Sequence, residues 1–233
     1  MFHKNVNINE DAIFIADSHY NSNRKELKAI VHNILNNHLK TSQLFLMGDI
    51  FDFLSQEIMY FKNKNEDMIN LINLLSKKIE IIYLEGNHDF NLKTIFPNIT
   101  ILSRDKQPLV LKYKNKKIAL SHGDIFTPLG YDLYSKFIRN NFTLLFLNFI
   151  DINNWLTKKI DNWLLQKDIC SKCNSEEIFV DIRINLYKSI NVDKVIEGHF
   201  HYGINSKTYV NIPSLACSNK FYSIKGNDFI CHS

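Results

Sequence analysis

Five short polar clusters, each placed directly after an apolar run, constrain the fold of this chain more than any other feature. In chain order they read ADSH, GDIFD, GNHD, SHGD and GHFH. A short apolar run bounded by turn residues is typical of a buried strand. The carboxyl ends of strands in an open α/β sheet converge on one crevice. We therefore expect the Asp, Asn and His side chains of these clusters to meet in one small volume.

The apolar runs alternate with helical patterns in the first part of the chain, which favours an α/β fold with parallel strands. Strands are predicted over residues 12–16, 44–47 and 81–84, and helices over 24–39 and 67–78. Asn23 is the predicted cap of the first helix. The later predictions are a hairpin over 109–120, helical segments over 131–165 and 176–190, and short strands over 194–196, 209–212, 221–224 and 229–231.

Length and composition indicate a globular protein. The 233 residues suit one domain, or one domain with an inserted cap. The net charge of +4 favours anionic ligands or lipid surfaces, whereas a nucleic-acid binder concentrates its basic residues more strongly. We therefore expect no nucleic-acid partner. The first residues lack the apolar region of a signal peptide, so we expect a cytoplasmic location.

The four cysteines, Cys170, Cys173, Cys217 and Cys231, do not resemble a disulfide framework. A C-x-x-C pair such as Cys170 and Cys173 can bind zinc, but a structural zinc site normally has four ligands. We therefore expect two reduced thiols in a helical segment.

The residue types in the five clusters are those of a metal site. Carboxylate, amide oxygen and imidazole together suit divalent manganese, iron or zinc. D-x-H or G-D alone is common in surface loops and turns, whereas GNHD and GHFH at strand ends are more specific. All five after apolar runs indicate one catalytic centre. The predicted metal ligands are Asp17, His19, Asp49, Asn87, His122, His199 and His201.

The order of the motifs, D-x-H, G-D-x-x-D, G-N-H-D, H and G-H-x-H, resembles that of the calcineurin-like metallophosphoesterases. The resemblance implies a four-layer αββα sandwich with two divalent metal ions, most simply Mn²⁺, at one edge. It implies that Asp49 bridges the two ions. The first ion would then bind Asp17, His19, Asp49 and His201, and the second Asp49, Asn87, His122 and His199.

The same resemblance implies roles for residues beside the metal ligands. His88 would contact the phosphate or protonate the leaving group, and Asp89 would pair with His88 and orient it, which makes both catalytic residues. Asn87 and His88 would also contact the substrate. For Asp52 and Asp124 a structural role and a catalytic role both stay open.

Within the family, the segments FIADSH, LFLMGDIFD and GNHDF are similar to those of the UDP-2,3-diacylglucosamine hydrolases of lipid A synthesis. The stretch from Tyr134 to Arg139 resembles their aromatic and basic entry into a helical cap. The resemblance implies hydrolysis of a nucleotide-linked lipid to UMP and 2,3-diacylglucosamine 1-phosphate, with Tyr134 and Arg139 as substrate contacts. It also implies a phosphoesterase domain over 1–130 and 191–233, with a cap over 131–190.

The predicted cap is unusually apolar, with lysines among its aromatic residues. Such a surface can rest on an anionic membrane and accept acyl chains, which favours a peripheral location on the inner membrane. An apolar helix can equally pack against its own domain. The apolar and basic residues concerned include Phe142, Phe146, Phe149, Trp163, Lys136, Lys158, Lys159 and Lys167.

Two departures leave another phosphodiester or nucleotide substrate open. The hydrolases usually have arginine where this chain has His88, and Arg-Pro where it has Tyr202-Gly203. A protein phosphatase would continue its second motif differently, and a nuclease of the family would be longer and more basic. A non-catalytic scaffold would lose metal ligands, and this chain keeps all seven.

Overall fold

Alternating side chains along short apolar strands determine how the chain is layered, because successive residues of a strand point to opposite faces. The computed structural model describes residues 7–170, 174–226 and 228–233. In β1 (Ile13–Ile15), Ile13 and Ile15 pack against helices, whereas Phe14 packs towards a second sheet. Two apolar layers therefore form, one on each face of the strand.

The first sheet has six strands in the order β10-β9-β1-β2-β3-β4. The strands from β1 to β4 are parallel, and β9 runs antiparallel to both β1 and β10. Phe14 of β1 stacks on Phe45 of β2 with ring centroids 4.7 Å apart. The remaining strands are β2 (Gln43–Leu46), β3 (Glu80–Leu84), β4 (Thr100–Leu102), β9 (Phe221–Lys225) and β10 (Asp228–His232).

The second sheet has four strands in the order β5-β6-β7-β8. A hairpin joins the antiparallel pair β5 and β6, and β6, β7 and β8 are parallel. Its inner face packs on the six-stranded sheet through a shared apolar cluster. The strands are β5 (Leu109–Tyr113), β6 (Lys116–Ser121), β7 (Lys194–Glu197) and β8 (Tyr209–Asn211).

Helices cover the outer faces of both sheets. α1 (Glu26–Leu35) and α3 (Glu66–Leu75) pack on the six-stranded sheet, and α7 (Glu176–Tyr187) packs on the four-stranded one. The predicted αββα architecture is thereby confirmed. The other helices are α2 (Met59–Lys64), α4 (Leu129–Ile138), α5 (Asn141–Ile150), α6 (Trp155–Gln166) and α8 (Leu215–Ser218), with 3₁₀ turns over 104–106, 152–154 and 188–190.

The predicted cap of the first helix is wrong. The residue before α1 is Lys25, and no side chain caps the helix there. The backbone N–H groups of Asn23 and Arg24 instead donate to the side chain of Asn21, which forms a turn ahead of the helix. The elements α2, β4 and α8 were not predicted, because they are too short to show a periodic pattern.

Helices α5 and α6 pack on α2 and the loop after β3 at one apolar cluster. Leu144 of α5 and Leu164 of α6 contact Ile58, Phe61 and Phe90 there. The Lys64 ammonium and the Tyr60 hydroxyl of α2 both donate to the buried carboxylate of Asp161 in α6. The division into a domain and a cap over 131–190 stays a prediction. In the described part of the chain, no helix has the length and apolar character needed to cross a membrane.

The prediction of reduced thiols is wrong for Cys170, which forms a disulfide with Cys217 of α8 across a sequence separation of 47 residues. Cysteine connectivity cannot be deduced from spacing alone, because it depends on which distant segments the fold brings together. Cys231 is free and exposed. Cys173, the other cysteine of the predicted pair, lies outside the described residues.

Candidate metal centre

Residues at the carboxyl ends of strands from both sheets meet at one edge of the sandwich. Asp17 follows β1, Asp49 follows β2 and His122 follows β6. His199 and His201 follow β7, two residues or more beyond its end. The loops are joined by backbone hydrogen bonds, since the N–H groups of Asp17 and His19 donate to the carbonyls of Gly48 and Asp49 at 3.1 and 3.0 Å.

Six of the seven predicted ligands fall into two groups of three. Within each group, one potential ligand atom per residue lies within 4.8 Å of the others. The first group is Asp17, His19 and His201, and the second is Asp49, His122 and His199. This partition is the one that the family resemblance implies.

Asn87 lies at the second group. Its side-chain oxygen is 3.3 Å from His122 Nε2. His122 Nδ1 is 2.9 Å from the carbonyl oxygen of Met47, and because a carbonyl only accepts, Nδ1 carries the hydrogen. Nε2 is therefore left to face Asn87 and Asp49, whose Oδ2 is 3.5 Å away. An imidazole fixed by a carbonyl in this way is the usual arrangement of a metal-binding histidine.

One buried oxygen of the first group fits a cation. Asp17 Oδ1 has no hydrogen-bond partner among the described residues, although Asp17 is fully buried. It lies 3.2 Å from His201 Nε2, and the other oxygen, Oδ2, accepts the backbone N–H of His199 at 2.8 Å. An unsatisfied buried carboxylate oxygen is costly unless a ligand completes its coordination. The donor set therefore fits a divalent metal ion.

The backbone of the ligand loops is strained. Left-handed φ angles are uncommon outside glycine, and non-glycine residues held there cluster at functional sites. Five of the predicted ligands have φ between 41° and 67°. The loops thus hold their side chains in directions that relaxed strand ends would not give. These residues are Asp17, His19, Asp49, His199 and His201.

The electrostatics of the two groups are dominated by carboxylates beside histidines. Burial disfavours the charge of Asp49, but His122, His88 and His19 outweigh it and hold the pKa of Asp49 well below its ordinary value. Burial also opposes protonation of His122, yet Asp49 raises the pKa of His122 well above its usual range. Asp17 likewise raises the pKa of His201 against the effect of burial. A divalent cation would compete with these protons for the same nitrogen atoms.

The predicted pairing of Asp89 with His88 is wrong. Asp89 is fully buried, and its carboxylate accepts the backbone N–H groups of Asp49, Ile50 and Gly86 at 3.0, 2.6 and 2.9 Å. It also accepts the hydroxyl of Tyr83. The carboxylate therefore holds the second and third motif loops together, and it does not orient His88.

His88 lies at the rim of the site, where a backbone carbonyl orients its ring. Its Nδ1 is 2.7 Å from the carbonyl oxygen of Asp52, so Nδ1 carries the hydrogen and Nε2 is the free nitrogen. Its backbone N–H donates to Asp49 Oδ1 at 2.8 Å. The ring centroids of His88 and His19 are 5.0 Å apart.

The two aspartates whose role the sequence left open both bind arginine. Asp52 Oδ1 accepts from Arg24 Nη1 at 2.9 Å and lies 3.4 Å from His19 Nδ1, and its other oxygen accepts from Asn21. Asp124 pairs with Arg104 and Arg139 at 3.3 and 3.1 Å. These contacts support a structural role for both carboxylates.

The two predicted substrate contacts from the insertion differ in position. Arg139 Nη2 donates to the Gly86 carbonyl at 2.8 Å, and its guanidinium lies 5.3 Å from the centroid of the Phe90 ring. Arg139 therefore attaches the end of α4 to the third motif. Tyr134 is 58% exposed on the outer surface of α4.

A cavity of about 200 Å³ is lined by residues from each metal group, namely His19, His201, Asp49 and His199, and by a segment for which the sequence predicted no role at the metal site. Lys167, Asp168 and Ile169 follow α6 directly and form one wall of this cavity. The carbonyl of Ile169 accepts from His201 Nδ1 at 2.7 Å. The only signal in the sequence was a charged pair at the end of an amphipathic helix.

Two groups of carboxylate and imidazole donors at one sheet edge are typical of a two-metal hydrolase. The model of the calcineurin-like phosphoesterases matches residues 12–203, so the chain belongs to this family. The resemblance to UDP-2,3-diacylglucosamine hydrolases is also confirmed. The enzyme of Histophilus somni (strain 2336) is 25% identical over 195 residues, covering 81% of this chain and 82% of the relative. That of Blochmanniella pennsylvanica is 27% identical over 215 residues, covering 82% and 83%.

The close approach of the second and third motifs depends on Gly86. A Cβ atom there would lie 2.2 Å from Asp49 Oδ1 and 2.4 Å from the Asp49 nitrogen. We expect Gly86→Ala to displace Asp49 and to lower metal-dependent turnover of a chromogenic phosphodiester about 100-fold or more, since misplacement by 1 Å can cost that much. Turnover, bound metal per chain and thermal unfolding are measured together.

Gly130→Ala is the matched control, because nothing lies within 4 Å of a Cβ at Gly130. It should keep the turnover and metal content of the unchanged chain. A Gly86→Ala protein with both properties intact would show that Asp49 does not depend on this approach.

Proposed function

We propose that the chain hydrolyses the pyrophosphate bond of a nucleotide-linked acylated sugar, namely UDP-2,3-diacylglucosamine, to UMP and 2,3-diacylglucosamine 1-phosphate. The observation that carries the proposal is an exposed apolar helical surface that joins the metal cavity at one end and the third motif loop at the other. Arg139 connects the end of α4 to the third motif, and Lys167 to Ile169 lead from α6 into the cavity wall. Relatives of about 25% identity that carry this enzyme's name support the same substrate.

Two divalent ions are proposed, with Mn²⁺ as the first choice because oxygen and imidazole donors are mixed. Asp17, His19 and His201 would hold one ion, and Asn87, His122 and His199 the other, with Asp49 shared between them. The two groups of donors and the unsatisfied Asp17 oxygen support this assignment. When bound, such ions polarise phosphoryl oxygens and supply an activated water as nucleophile.

His88 is proposed as the catalytic residue supplied by the chain. Its Nδ1 is engaged by the Asp52 carbonyl, which fixes the ring and leaves Nε2 at the cavity. An imidazole in this position can donate to a phosphoryl oxygen or pass a proton to the leaving oxygen near neutral pH. Asp89, whose carboxylate is occupied by backbone donors, is proposed as a positioning residue instead.

A small apolar cavity at the base of the helical insertion is proposed as the starting point of an acyl-chain site. It has a volume of about 90 Å³ and lies where α5 and α6 pack on α2. Extension of this cavity would bury acyl methylene groups at about 0.8 kcal/mol each. The apolar residues that line it are Phe53, Ile58, Phe61, Ile138, Leu144, Leu147, Leu156 and Ile160.

The outer surface of the same insertion is proposed to contact the inner membrane from the cytoplasmic side. Phe142 and Phe149 of α5 are 84% and 83% exposed, far beyond what a large aromatic residue normally shows. On α6, the ammonium of the exposed Lys159 lies 4.8 Å from the centroid of the exposed Trp155 ring and adds positive charge beside an aromatic residue. Apolar and basic groups on one surface favour binding to anionic lipid. The cap over 131–190 would then be the part that meets the lipid substrate.

Two alternatives keep the same metal centre. A water-soluble phosphodiester or nucleotide is the other substrate class, supported by His88 in place of the usual arginine. A non-catalytic scaffold is disfavoured, because the predicted ligands are present and grouped.

The substrate proposal is tested by product analysis. With Mn²⁺ present, we expect the protein to release UMP and 2,3-diacylglucosamine 1-phosphate in equal amounts from UDP-2,3-diacylglucosamine, and to act far more slowly on a water-soluble dinucleotide. Mass spectrometry of both products is the measurement. Cleavage of a chromogenic phosphodiester without either product would refute the lipid substrate and leave the family assignment intact.

His88→Gln should lower kcat by about 100-fold or more, as loss of a positioned acid or base commonly does. Bound metal should stay unchanged, because His88 belongs to neither donor group. His88→Arg separates the two roles: it restores turnover if the side chain contacts phosphate, and it does not if a proton must be transferred. Unchanged kcat in His88→Gln would remove His88 from the mechanism.

Phe142→Ser combined with Phe149→Ser should weaken binding to vesicles of phosphatidylethanolamine and phosphatidylglycerol at least about tenfold, because burying one Phe side chain contributes roughly 1.5–3 kcal/mol. Co-sedimentation is the measurement. Leu74→Ser, at a residue 48% exposed on α3, is the control that should bind as the unchanged chain does. Equal binding by all three proteins would argue against this membrane surface.

A further inference from the structure

A buried carboxylate lies behind the second group of metal ligands and belongs to no motif. Glu197 is the last residue of β7 and is fully buried. Its two oxygens accept from Arg183 Nε at 2.8 Å and from Arg183 Nη2 at 2.6 Å. This bidentate pair joins α7 to the four-stranded sheet, and such pairs are both strong and directional.

Two tyrosines complete the surroundings of the carboxylate. The hydroxyls of Tyr187 and Tyr209 donate to Glu197 Oε1 and Oε2 at 2.5 and 2.8 Å. Burial and the adjacent Glu197 both raise the pKa of each tyrosine, so each stays an O–H donor. Glu197 is thus satisfied by donors from a helix and a neighbouring strand.

The same network contacts the residue before His122 and the residue after it. On one side, the Ser121 hydroxyl lies 2.6 Å from the Tyr187 hydroxyl and donates to Glu197 Oε1 at 3.2 Å. On the other side, the Gly123 carbonyl accepts from Arg183 Nη2 at 3.2 Å. The His122 backbone is therefore held before and after the ligand by one cluster.

We infer that Glu197, with Arg183 and Tyr187, is a positioning residue for His122 and thereby for the metal ion of the second group. This rests on the proposed two-metal function. A first-row metal site requires its ligands at fixed distances, and groups outside the coordination sphere that orient a ligand commonly change metal affinity 10- to 100-fold. The cluster approaches the first group only through the Phe200 ring, which lies 4.8 Å from the Arg183 guanidinium and precedes His201, among the described contacts. We therefore expect a larger effect on the second group, whose His122 is flanked by hydrogen-bonded residues on both sides.

The experiment is a calorimetric titration of the metal-stripped full chain with Mn²⁺, in which the heat of each binding phase is measured. His122→Ala and His201→Ala, which each remove one ligand from one group, assign the two binding phases. Glu197→Gln should then weaken the second phase at least about tenfold and leave the first within about twofold. Excess Mn²⁺ should restore turnover in this variant, because a site with weakened affinity refills at high metal concentration. Loss of a catalytic group would not be reversed in this way.

Tyr187→Phe and Tyr209→Phe form a matched pair. Each removes one hydroxyl from the same carboxylate, but only the Tyr187 hydroxyl also contacts Ser121. We expect Tyr187→Phe to weaken the second phase severalfold and Tyr209→Phe to leave both phases unchanged. Thermal unfolding of both variants shows whether any difference arises from stability alone.

Equal weakening of both metal phases, or an equal effect of the two tyrosine substitutions, would overturn the inference and leave Glu197 a residue of the core. Unchanged metal affinity in Glu197→Gln would do the same. An unchanged chain that binds two ions but does not cleave UDP-2,3-diacylglucosamine would refute the proposed substrate without affecting the positioning role. The two failures are therefore distinguishable.

Discussion

The structure of the site depends above all on the carboxylate of Asp89. It is fully buried and gathers backbone N–H groups from Asp49, Ile50 and Gly86, which belong to two motifs separated by more than thirty residues. A buried charge is tolerated only where donors replace its hydration, and here the donors are the loops that carry Asp49 and Asn87. Burial and the nearby Asp49 raise the pKa of Asp89. Removal of this charge would free both loops at once.

The strained backbone follows from the same constraint. Left-handed residues outside glycine cost on the order of 1–3 kcal/mol each, and they persist only where surrounding contacts determine them. At Asp17 and His19 the compensating contacts are backbone hydrogen bonds to Gly48 and Asp49. At His199 the contact is its N–H bond to Asp17 Oδ2. Each ligand loop is thus held by another ligand loop, so the site is pre-organised as a unit before a cation binds.

The sequence predicted the described strands except β4, most helices, and the residues that the structure brings together in the two donor groups, because these depend on local patterns. Apolar runs followed by polar clusters are visible without knowledge of contacts, and β1 to β3 were predicted to within about two residues. The sequence did not predict that the Asp89 carboxylate would bind the backbone of the second motif loop. Asp89 adjoins His88 in the chain, yet the turn points the carboxylate towards Asp49 and the ring towards the Asp52 carbonyl. Neither the disulfide of Cys170 and Cys217 nor the pair of Arg183 and Glu197 has a local signature, since both join segments that only the fold brings together.

The helical insertion does more than cover the site, because it contacts three of the ligand loops. Arg139 donates to the Gly86 carbonyl, the Ile169 carbonyl accepts from His201, and Arg183 donates to the Gly123 carbonyl. These contacts come from the beginning, middle and end of residues 131–190. Two of them involve the carbonyls of Gly86 and Gly123, which precede Asn87 and follow His122 in the chain. A shift of the insertion would therefore move these predicted ligands.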